Sequence, residues 1–358
     1  MKRTQGCCLV AVMVVLSAVA GCGQKDGVSA GTVSRIYAGN QSPDRIVSTT
    51  FDYANSTFKM VHDPSTPEEA GDDFALSGDF SQTPTGFLKL VVRSSTKDNI
   101  PTDGSVTSYG IEVPGAMLIA KPFVTMGDMA VMAYQGDCAD SKGGAFNWIQ
   151  TSFLNASVDV DEGQSVGTLT QTGVESVALK LLPQTLSRNL SETSMFGECS
   201  AGRTKLDGRG LGFGSSAGVM TIGKAGMGGI TALKQDETIT LEKLSGAYRG
   251  FIFKPNQKIQ EPVWMLSRTE KIADLGYWMN SGQEKGIEKD TRQDASFEIG
   301  FTTMEKGAFT GYYMKDRKAQ KSSVLKGMAA SVGGKNVIIA VSKQDEDGSP
   351  AVLLLVSQ

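Results

Sequence analysis

Three short segments of the chain match patterns that contain a catalytic serine. Residues 214–218 read G-S-S-A-G and fit the nucleophile pattern G-x-S-x-G, which needs a strand before Ser216 and a helix after it. The residues that follow, V-M-T-I-G-K-A-G, are poor helix formers, and no histidine follows His62. We therefore interpret this segment as a glycine-rich entry to a strand.

Ser94–Lys97 and Ser323–Lys326 both fit S-x-x-K, the serine–lysine pattern of another hydrolase class. That class also requires a K-T-G element, which the sequence lacks. His62 is the one histidine, in K-M-V-H-D-P, and we predict that it lies in a surface turn. A single histidine weakens any scheme of acid–base catalysis or metal binding that depends on imidazole.

Carboxylates cluster in two places, Asp159–Gly163 and Asp345–Gly348. Calcium takes six to eight oxygen ligands, and neither cluster has the twelve-residue pattern of an EF-hand loop. We predict solvated turns, no metal and no catalytic residue. A hydrolase that uses carboxylates or a Ser/Lys pair remains the alternative hypothesis.

Glycine and tryptophan offer further binding candidates. Residues 208–229 are rich in glycine but lack the G-K-[ST] ending of a phosphate-binding loop, so a β-turn region is the better interpretation. Trp148, Trp264 and Trp278 could face a glycan or an apolar ligand, but tryptophans on strands more often belong to a core.

The N-terminal segment combines a positive start with a short apolar stretch. Lys2 and Arg3 precede an apolar run from Cys8 to Ala20, which is shorter than the ~20 residues that a spanning helix needs. Such a run is typical of a secretory signal. The segment ends in Val19-Ala-Gly-Cys22, with small residues directly before a cysteine.

This ending resembles the lipobox of bacterial lipoproteins. The resemblance implies that the signal is cut before Cys22 and that this cysteine carries diacylglyceryl and acyl lipid, the only cofactor-like group expected. Several acyl chains anchor firmly, because each buried CH₂ contributes about 0.8 kcal/mol. Gly23, rather than Asp, follows the cysteine, which by analogy with enteric-type bacteria favours the outer membrane.

Composition and charge exclude several partners. The formal net charge of −3 gives no basic footprint for nucleic acid, so we expect none as a partner.

Apart from Cys22 and the two cysteines of the signal, the chain holds only Cys138 and Cys199. In an oxidising compartment we predict that these two form a disulfide, which would contribute roughly 4 kcal/mol by closing a loop of about 60 residues.

The elements that carry these residues have the period of β-strands. Leu88, Leu90 and Val92 alternate with polar neighbours, and Phe297, Ile299 and Phe301 do the same. A third alternating run surrounds Lys180. Alternation of this kind is typical of half-buried antiparallel sheet.

Three longer features refine this picture. Residues 336–343 and 351–357 flank a D-E-D-G-S-P turn and predict a C-terminal hairpin. Residues 269–280 have near-helical apolar spacing and predict one short helix. Residues 246–254 (GAYRGFIFK) resemble residues 307–315 (GAFTGYYMK), which predicts two equivalent strands in one C-terminal sheet or barrel.

Together these features predict a mostly β protein with antiparallel sandwich- or barrel-like units and little helix. The length favours two units. We expect a signal over 1–21, a flexible tether over 22–34, a β-rich domain over 35–240 and a second β-rich unit over 241–358.

The predicted function is that of a lipid-anchored envelope protein without catalytic activity, which binds a small apolar ligand or an envelope partner. An outer-membrane β-barrel is the less favoured interpretation, because charged residues alternate with apolar ones along the strands and because the chain ends in Gln358.

Overall fold

The computed structural model describes most of the chain from Ser34 onward. The described residues are 34–42, 45–64, 74–84, 86–113, 115–119, 130–134, 143–150, 166–172, 176–183, 193–200, 203–206, 210–214, 218–224, 228–253, 263–272, 276–280, 298–315, 318–342 and 351–358. The predicted lipidation site Cys22, Cys138, Ser216 and both carboxylate clusters lie outside these residues, so the predictions about them stay predictions.

The described residues form three closed antiparallel barrels of eight strands each. The strands of the first barrel are β1 (Ser34–Ser42), β2 (Arg45–Asp52), β3 (Thr57–Pro64), β4 (Phe74–Gln82), β5 (Leu88–Ser95), β6 (Thr107–Val113), β7 (Ala116–Ile119) and β8 (Ala130–Tyr134). Those of the second are β9 (Gly144–Gln150), β10 (Val166–Thr172), β11 (Ser176–Pro183), β12 (Thr193–Ser200), β13 (Arg203–Leu206), β14 (Gly210–Gly214), β15 (Val219–Lys224) and β16 (Gly228–Lys234).

The third barrel follows a single 3-10 turn, Glu242–Leu244. Its strands are β17 (Gly246–Phe253), β18 (Val263–Ile272), β19 (Gly276–Asn280), β20 (Glu298–Glu305), β21 (Ala308–Lys315), β22 (Lys318–Val332), β23 (Lys335–Ser342) and β24 (Ala351–Ser357). In every barrel each strand pairs with the next in the chain, and the first strand pairs with the last.

The predicted fold class is confirmed: the structure is antiparallel β, with little helix among the described residues. It contains three barrels where the sequence favoured two units. Residues 35–240 hold the first two barrels, and residues 241–358 hold the third. Whether these ranges behave as separate domains stays a prediction.

The alternating strands fold as their period predicts. In β5 the side chains of Leu88, Leu90 and Val92 are buried, and Arg93 is exposed. In β20 Ile299 and Phe301 are buried inside the third barrel. The pairing of β23 with β24 confirms the C-terminal hairpin.

The internal echo is also explained by the third barrel. The two similar segments form β17 and β21, which lie four strands apart in the eight-stranded barrel. Gly250 and Gly311 occupy the same place in the echo, and each lies against a backbone carbonyl of a neighbouring strand. The repeated glycine therefore marks a close approach of two backbones at equivalent positions.

Two local predictions were wrong. The described residues of this range, 269–272 and 276–280, belong to β18 and β19 instead of a helix, and these strands pair from Ile272 with Gly276 to Arg268 with Asn280. The neighbouring strands β17 and β20 supply backbone partners there, which a short helix without caps could not match. His62 is not a surface residue: it is 1% exposed, on the inward face of β3.

His62 shares that inward face with Phe58 and Met60, because side chains two residues apart point to the same side of a strand. Its ring stacks on Phe74 with 4.2 Å between the ring centroids. The Lys97 ammonium lies 5.0 Å from the centroid of the same phenyl ring. The histidine thus belongs to the packed interior of the first barrel.

Strands β22–β24 are buried on both faces. Their inward side chains fill the third barrel, and eight of their outward side chains are also no more than 3% exposed: Met328, Ala330, Val332, Val337, Ile339, Val341, Leu354 and Val356. The second barrel covers the outer faces of β22 and β23, since β22 contacts β9 and β16 and β23 contacts β9. Strands β1 and β8 of the first barrel contact β15 in turn, so the second barrel touches both others.

The close approach at Gly250 can be tested by adding one methyl group. A Cβ at this position would lie 1.9 Å from the Leu354 carbonyl oxygen, which belongs to the paired strand β24 and cannot move away cheaply. We expect Gly250→Ala to lower the free energy of unfolding by about 1–3 kcal/mol, as overpacking does. Urea unfolding measures this. Ala247→Ser, at an exposed position of the same strand, is the control, and equal midpoints for the two variants would contradict the close approach.

Candidate binding site

A polar cluster closes one end of the first barrel. Arg35 of β1, Tyr37 of β1, Tyr53 after β2 and Glu112 of β6 meet there. Strand β6 pairs with neither β1 nor β2, so these contacts cross the barrel interior. The cluster sits where β1 begins and β6 ends.

One carboxylate oxygen organises the cluster. Glu112 Oε1 accepts a hydrogen bond of 2.6 Å from Arg35 Nη1 and bonds of 2.5 Å from the hydroxyls of Tyr37 and Tyr53. The Arg35 guanidinium carbon also lies 4.7 Å above the centre of the Tyr53 ring. Three donors exceed the two lone pairs of a carboxylate oxygen, so Oε1 is saturated and cannot also bind a substrate.

The surroundings raise the pKa of all three donors. Burial, followed by the charge of Glu112, raises the pKa of Tyr37 well above its usual value of 10.0, and the same two causes raise that of Tyr53. Burial acts to lower the pKa of Arg35, but the hydrogen bond and the charge of Glu112 outweigh it and raise that pKa. All three groups therefore keep their protons at neutral pH.

Aromatic rings support the cluster from inside the barrel. The ring of Phe51 contacts those of Tyr37, Tyr53, Phe58 and Phe80 at centroid distances of 5.3–6.4 Å. Phe51 itself is fully buried. The cluster is thus a fixed closure at the end of a filled barrel.

The closing role predicts a clear stability effect. Glu112→Gln removes the charge that compensates Arg35, and the side chains of this pair are only 17% and 29% exposed. We expect a loss of about 2–3 kcal/mol in the free energy of unfolding. The matched control is Asp79→Asn, which breaks the pair with Arg93 at a site more than half exposed and should cost less than about 1 kcal/mol. Equal losses in denaturant unfolding would refute the closure.

A second prediction concerns alkaline pH. The unfolded chain releases its tyrosine protons near pH 10, whereas folded Tyr37 keeps its proton because its pKa is raised. Stability is therefore complete below pH 10 and falls as the pH rises above it. In Tyr37→Phe we expect the fall between pH 10 and 11 to be smaller than in the unaltered protein by about 1 kcal/mol. Urea unfolding at several pH values measures the slope, and an unchanged slope would show that Tyr37 ionises freely when folded.

An opening lies between the second and third barrels. It is a half-open cleft of about 150 Å³. The second barrel contributes Asn147, Trp148, Ile149, Gly167, Thr168 and Leu182, and the third contributes Ala308, Phe309, Lys326, Gly327 and Met328. The walls are mainly apolar, and polar groups of Asn147, Thr168 and Lys326 stand among them.

Two glycine–aromatic pairs shape the walls. The Trp148 indole lies across Gly167, where a Cβ would come within 2.7 Å of Nε1, and Nε1 donates to the Thr168 carbonyl at 3.1 Å. In the third barrel the Phe309 ring lies across Gly327 in the same manner. The sequence interpretation of Trp148 as a core residue is confirmed, since only 1% of it is exposed.

Asn147 links the second barrel to the third beside the cleft. Its amide nitrogen donates to the Lys306 carbonyl at 2.8 Å, and its amide oxygen accepts from Gln235 Nε2 at 3.3 Å. Lys306 and Gly307 both have positive φ, as a two-residue hairpin turn between β20 and β21 requires. A buried amide therefore holds this turn beside strand β9.

The remaining sequence candidates are not brought together. Ser95 Oγ of the first S-x-x-K segment donates to the carbonyl of Lys97, while the Lys97 ammonium faces Phe74. Lys326 of the second segment lines the cleft. Cys199 lies in β12, and its predicted partner Cys138 lies outside the described residues. Within the described ranges, no group of three or more His, Cys, Asp or Glu is placed to hold a metal, and no helix is long and apolar enough to cross a membrane.

Neither the cleft nor the polar cluster was found from the sequence. Asn147, Lys306 and Phe309 are far apart in the chain, and no motif links them. The only local signals were the glycines at 167, 307 and 327, which mark close approaches once the partner strands are known.

Comparison with known proteins leaves the chain without a family. No protein-family model matches it, and no curated protein matches its sequence. Among solved structures, one of the vaccine antigen Transferrin Binding Protein B from Haemophilus parasuis Hp5 aligns over 91% of this chain and 76% of its own, with 9% identity and a TM-score of 0.25. The intact Ap-TbpB structure, with its N and C lobes, aligns over 91% and 77%, with 10% identity and a TM-score of 0.20. TM-scores this low carry no argument about the fold or function of this chain.

Proposed function

We propose that the chain is a lipid-anchored protein of the bacterial cell envelope, more specifically of the outer membrane, and that it binds a protein partner rather than catalysing a reaction. The structural observation that carries the binding role is the position of the cleft. It lies between the second and third barrels instead of inside either one, and the described inward side chains of the third barrel pack into one core.

The packed interiors argue against a ligand held inside a barrel. Eight strands give an interior just wide enough for side chains to fill. In the first barrel that space holds Tyr37, Phe51, Met60, Leu76, Leu90 and Met117, each at most 1% exposed. A small apolar ligand, which the sequence left open, would have to displace this core.

Two polar residues with the chemistry of catalytic groups, His62 and Glu112, have structural roles. His62 is stacked in the first barrel, and Glu112 Oε1 is saturated by three donors. These contacts give both residues a part in the packing of the first barrel, and a hydrolase that uses carboxylates or a Ser/Lys pair is the alternative function.

The envelope location rests on the lipobox at residues 19–22. A bridge between Cys138 and Cys199 is part of the same proposal, because it requires an oxidising compartment. It would tie the connection between the first two barrels to strand β12.

Lipidation of Cys22 is testable with a matched control inside the signal. In cells fed radioactive palmitate, we expect the unaltered chain and Cys8→Ser to be labelled, and Cys22→Ser to be unlabelled. The reason is that only the thiol of Cys22 follows the small residues of the lipobox. Membrane fractionation should place the labelled forms in the outer membrane. Labelling of Cys22→Ser, or label lost in Cys8→Ser alone, would refute the anchor.

A further inference from the structure

We propose that the cleft between the second and third barrels receives one ring-sized apolar side chain of the protein partner, with an acidic residue beside it. This inference rests on the proposed binding function and specifies its site.

The size of the cleft selects its occupant. An apolar cavity of about 150 Å³ accommodates a benzene-sized group, whereas sites for whole small-molecule ligands usually span about 300–1,000 Å³. The cleft has the smaller size. A single phenyl ring or branched alkyl group fills it, as an anchoring side chain fills a hot-spot pocket in a protein interface.

Apolar surface continues from the cleft along the second barrel. Leu182 of β11 lines the cleft and is 37% exposed, and Phe196 of β12 is 59% exposed. Phe196 pairs with Ala178, which has the same parity along β11 as Leu182, so both side chains lie on the outer face. A contact that extends beyond the cleft suits a partner chain rather than an isolated small molecule.

The charged residues around the cleft indicate which residue type of the partner protein lies beside the side chain that enters the cleft. Lys326 lines the cleft, and Lys180 lies two residues before Leu182 on the same face. Glu198 pairs with Ser176 at the opposite end of β11, away from Leu182. Among the described residues that line the cleft, Lys326 is the one ionisable side chain, and its charge complements an aspartate or glutamate next to the anchoring ring.

The cleft is also preformed. Asn147 bridges the two barrels at one side of it, and the Trp148 and Phe309 rings are fixed by the glycines that they cross. Binding therefore requires little rearrangement of the walls, so short peptides are adequate probes.

The test uses the detergent-solubilised, full-length protein and three fluorescein-labelled tetrapeptides in anisotropy titrations. The sequences are Ser-Phe-Asp-Ser, Ser-Ala-Asp-Ser and Ser-Phe-Asn-Ser. We expect the first to bind at least about tenfold more tightly than the second, because the ring leaves water. It should bind about two- to fivefold more tightly than the third, because an exposed ion pair adds little.

Protein variants identify the place of binding. Ala308→Phe fills the cleft with a ring of the chain's own and should abolish binding of the Ser-Phe-Asp-Ser peptide, while Ala247→Phe, at an exposed position of β17, should leave it intact. Lys326→Gln should remove the preference for Asp over Asn and leave affinity for the Asn peptide unchanged. Far-ultraviolet circular dichroism checks that each variant is folded. Equal affinity for the Phe and Ala peptides, no binding up to millimolar concentration, or unchanged binding in Ala308→Phe would overturn the proposal.

Failure of the cleft can be told apart from failure of the binding function. A photo-crosslinking phenylalanine analogue is placed at Leu182, or at exposed Asn55 in the first barrel, in living cells. Crosslinks to a protein at position 182 that disappear with Ala308→Phe support the cleft. Crosslinks only at position 55 overturn the cleft and keep the binding function, and crosslinks at neither position, together with failed peptide binding, overturn both.

Discussion

Closure of each eight-stranded meander is the constraint on which the rest of the structure depends. When the first strand pairs with the last, no strand edge is left with unpaired backbone groups. The enclosed space is then as wide as two layers of side chains, and it must be filled. Packing of Phe51, Met60 and Leu76 in the first barrel, and of Tyr248, Phe301 and Leu355 in the third, meets that requirement. The surface that can bind a partner therefore lies where two barrels meet.

Much of the fold could be predicted from the sequence, because sheet structure leaves a local record. The alternation in β5 and β20 follows directly from one buried face, and the C-terminal hairpin follows from its turn residues. The number of barrels leaves no such record. Strands β22–β24 are buried on both faces by a neighbouring barrel, so their continuous apolar runs carry no period that separates inside from outside.

The errors and omissions have one physical origin, which is that they depend on partners distant in the chain. Residues 269–280 have helix-like spacing, but adjacent strands compete for their backbone groups. His62 continues the alternation of the apolar residues Phe58 and Met60, which indicates a buried position. Because histidine is a polar residue type, the sequence prediction placed it at the surface instead. The hydrogen bonds of the Glu112 cluster and the cleft join residues separated by 59 to 159 positions, where composition and spacing give no information. The lipobox, by contrast, is entirely local, and the sequence alone defines it.

The contiguity of each barrel in the chain sets an order of assembly. No barrel shares a strand with another, so the first can close as soon as Tyr134 has emerged, before any residue of the third exists. The Lys306 carbonyl that Asn147 binds is therefore supplied last, and the cleft appears only when the third barrel has docked. A chain interrupted after the second barrel would lack Ala308, Phe309, Lys326, Gly327 and Met328, so the proposed recognition depends on synthesis of the complete third barrel.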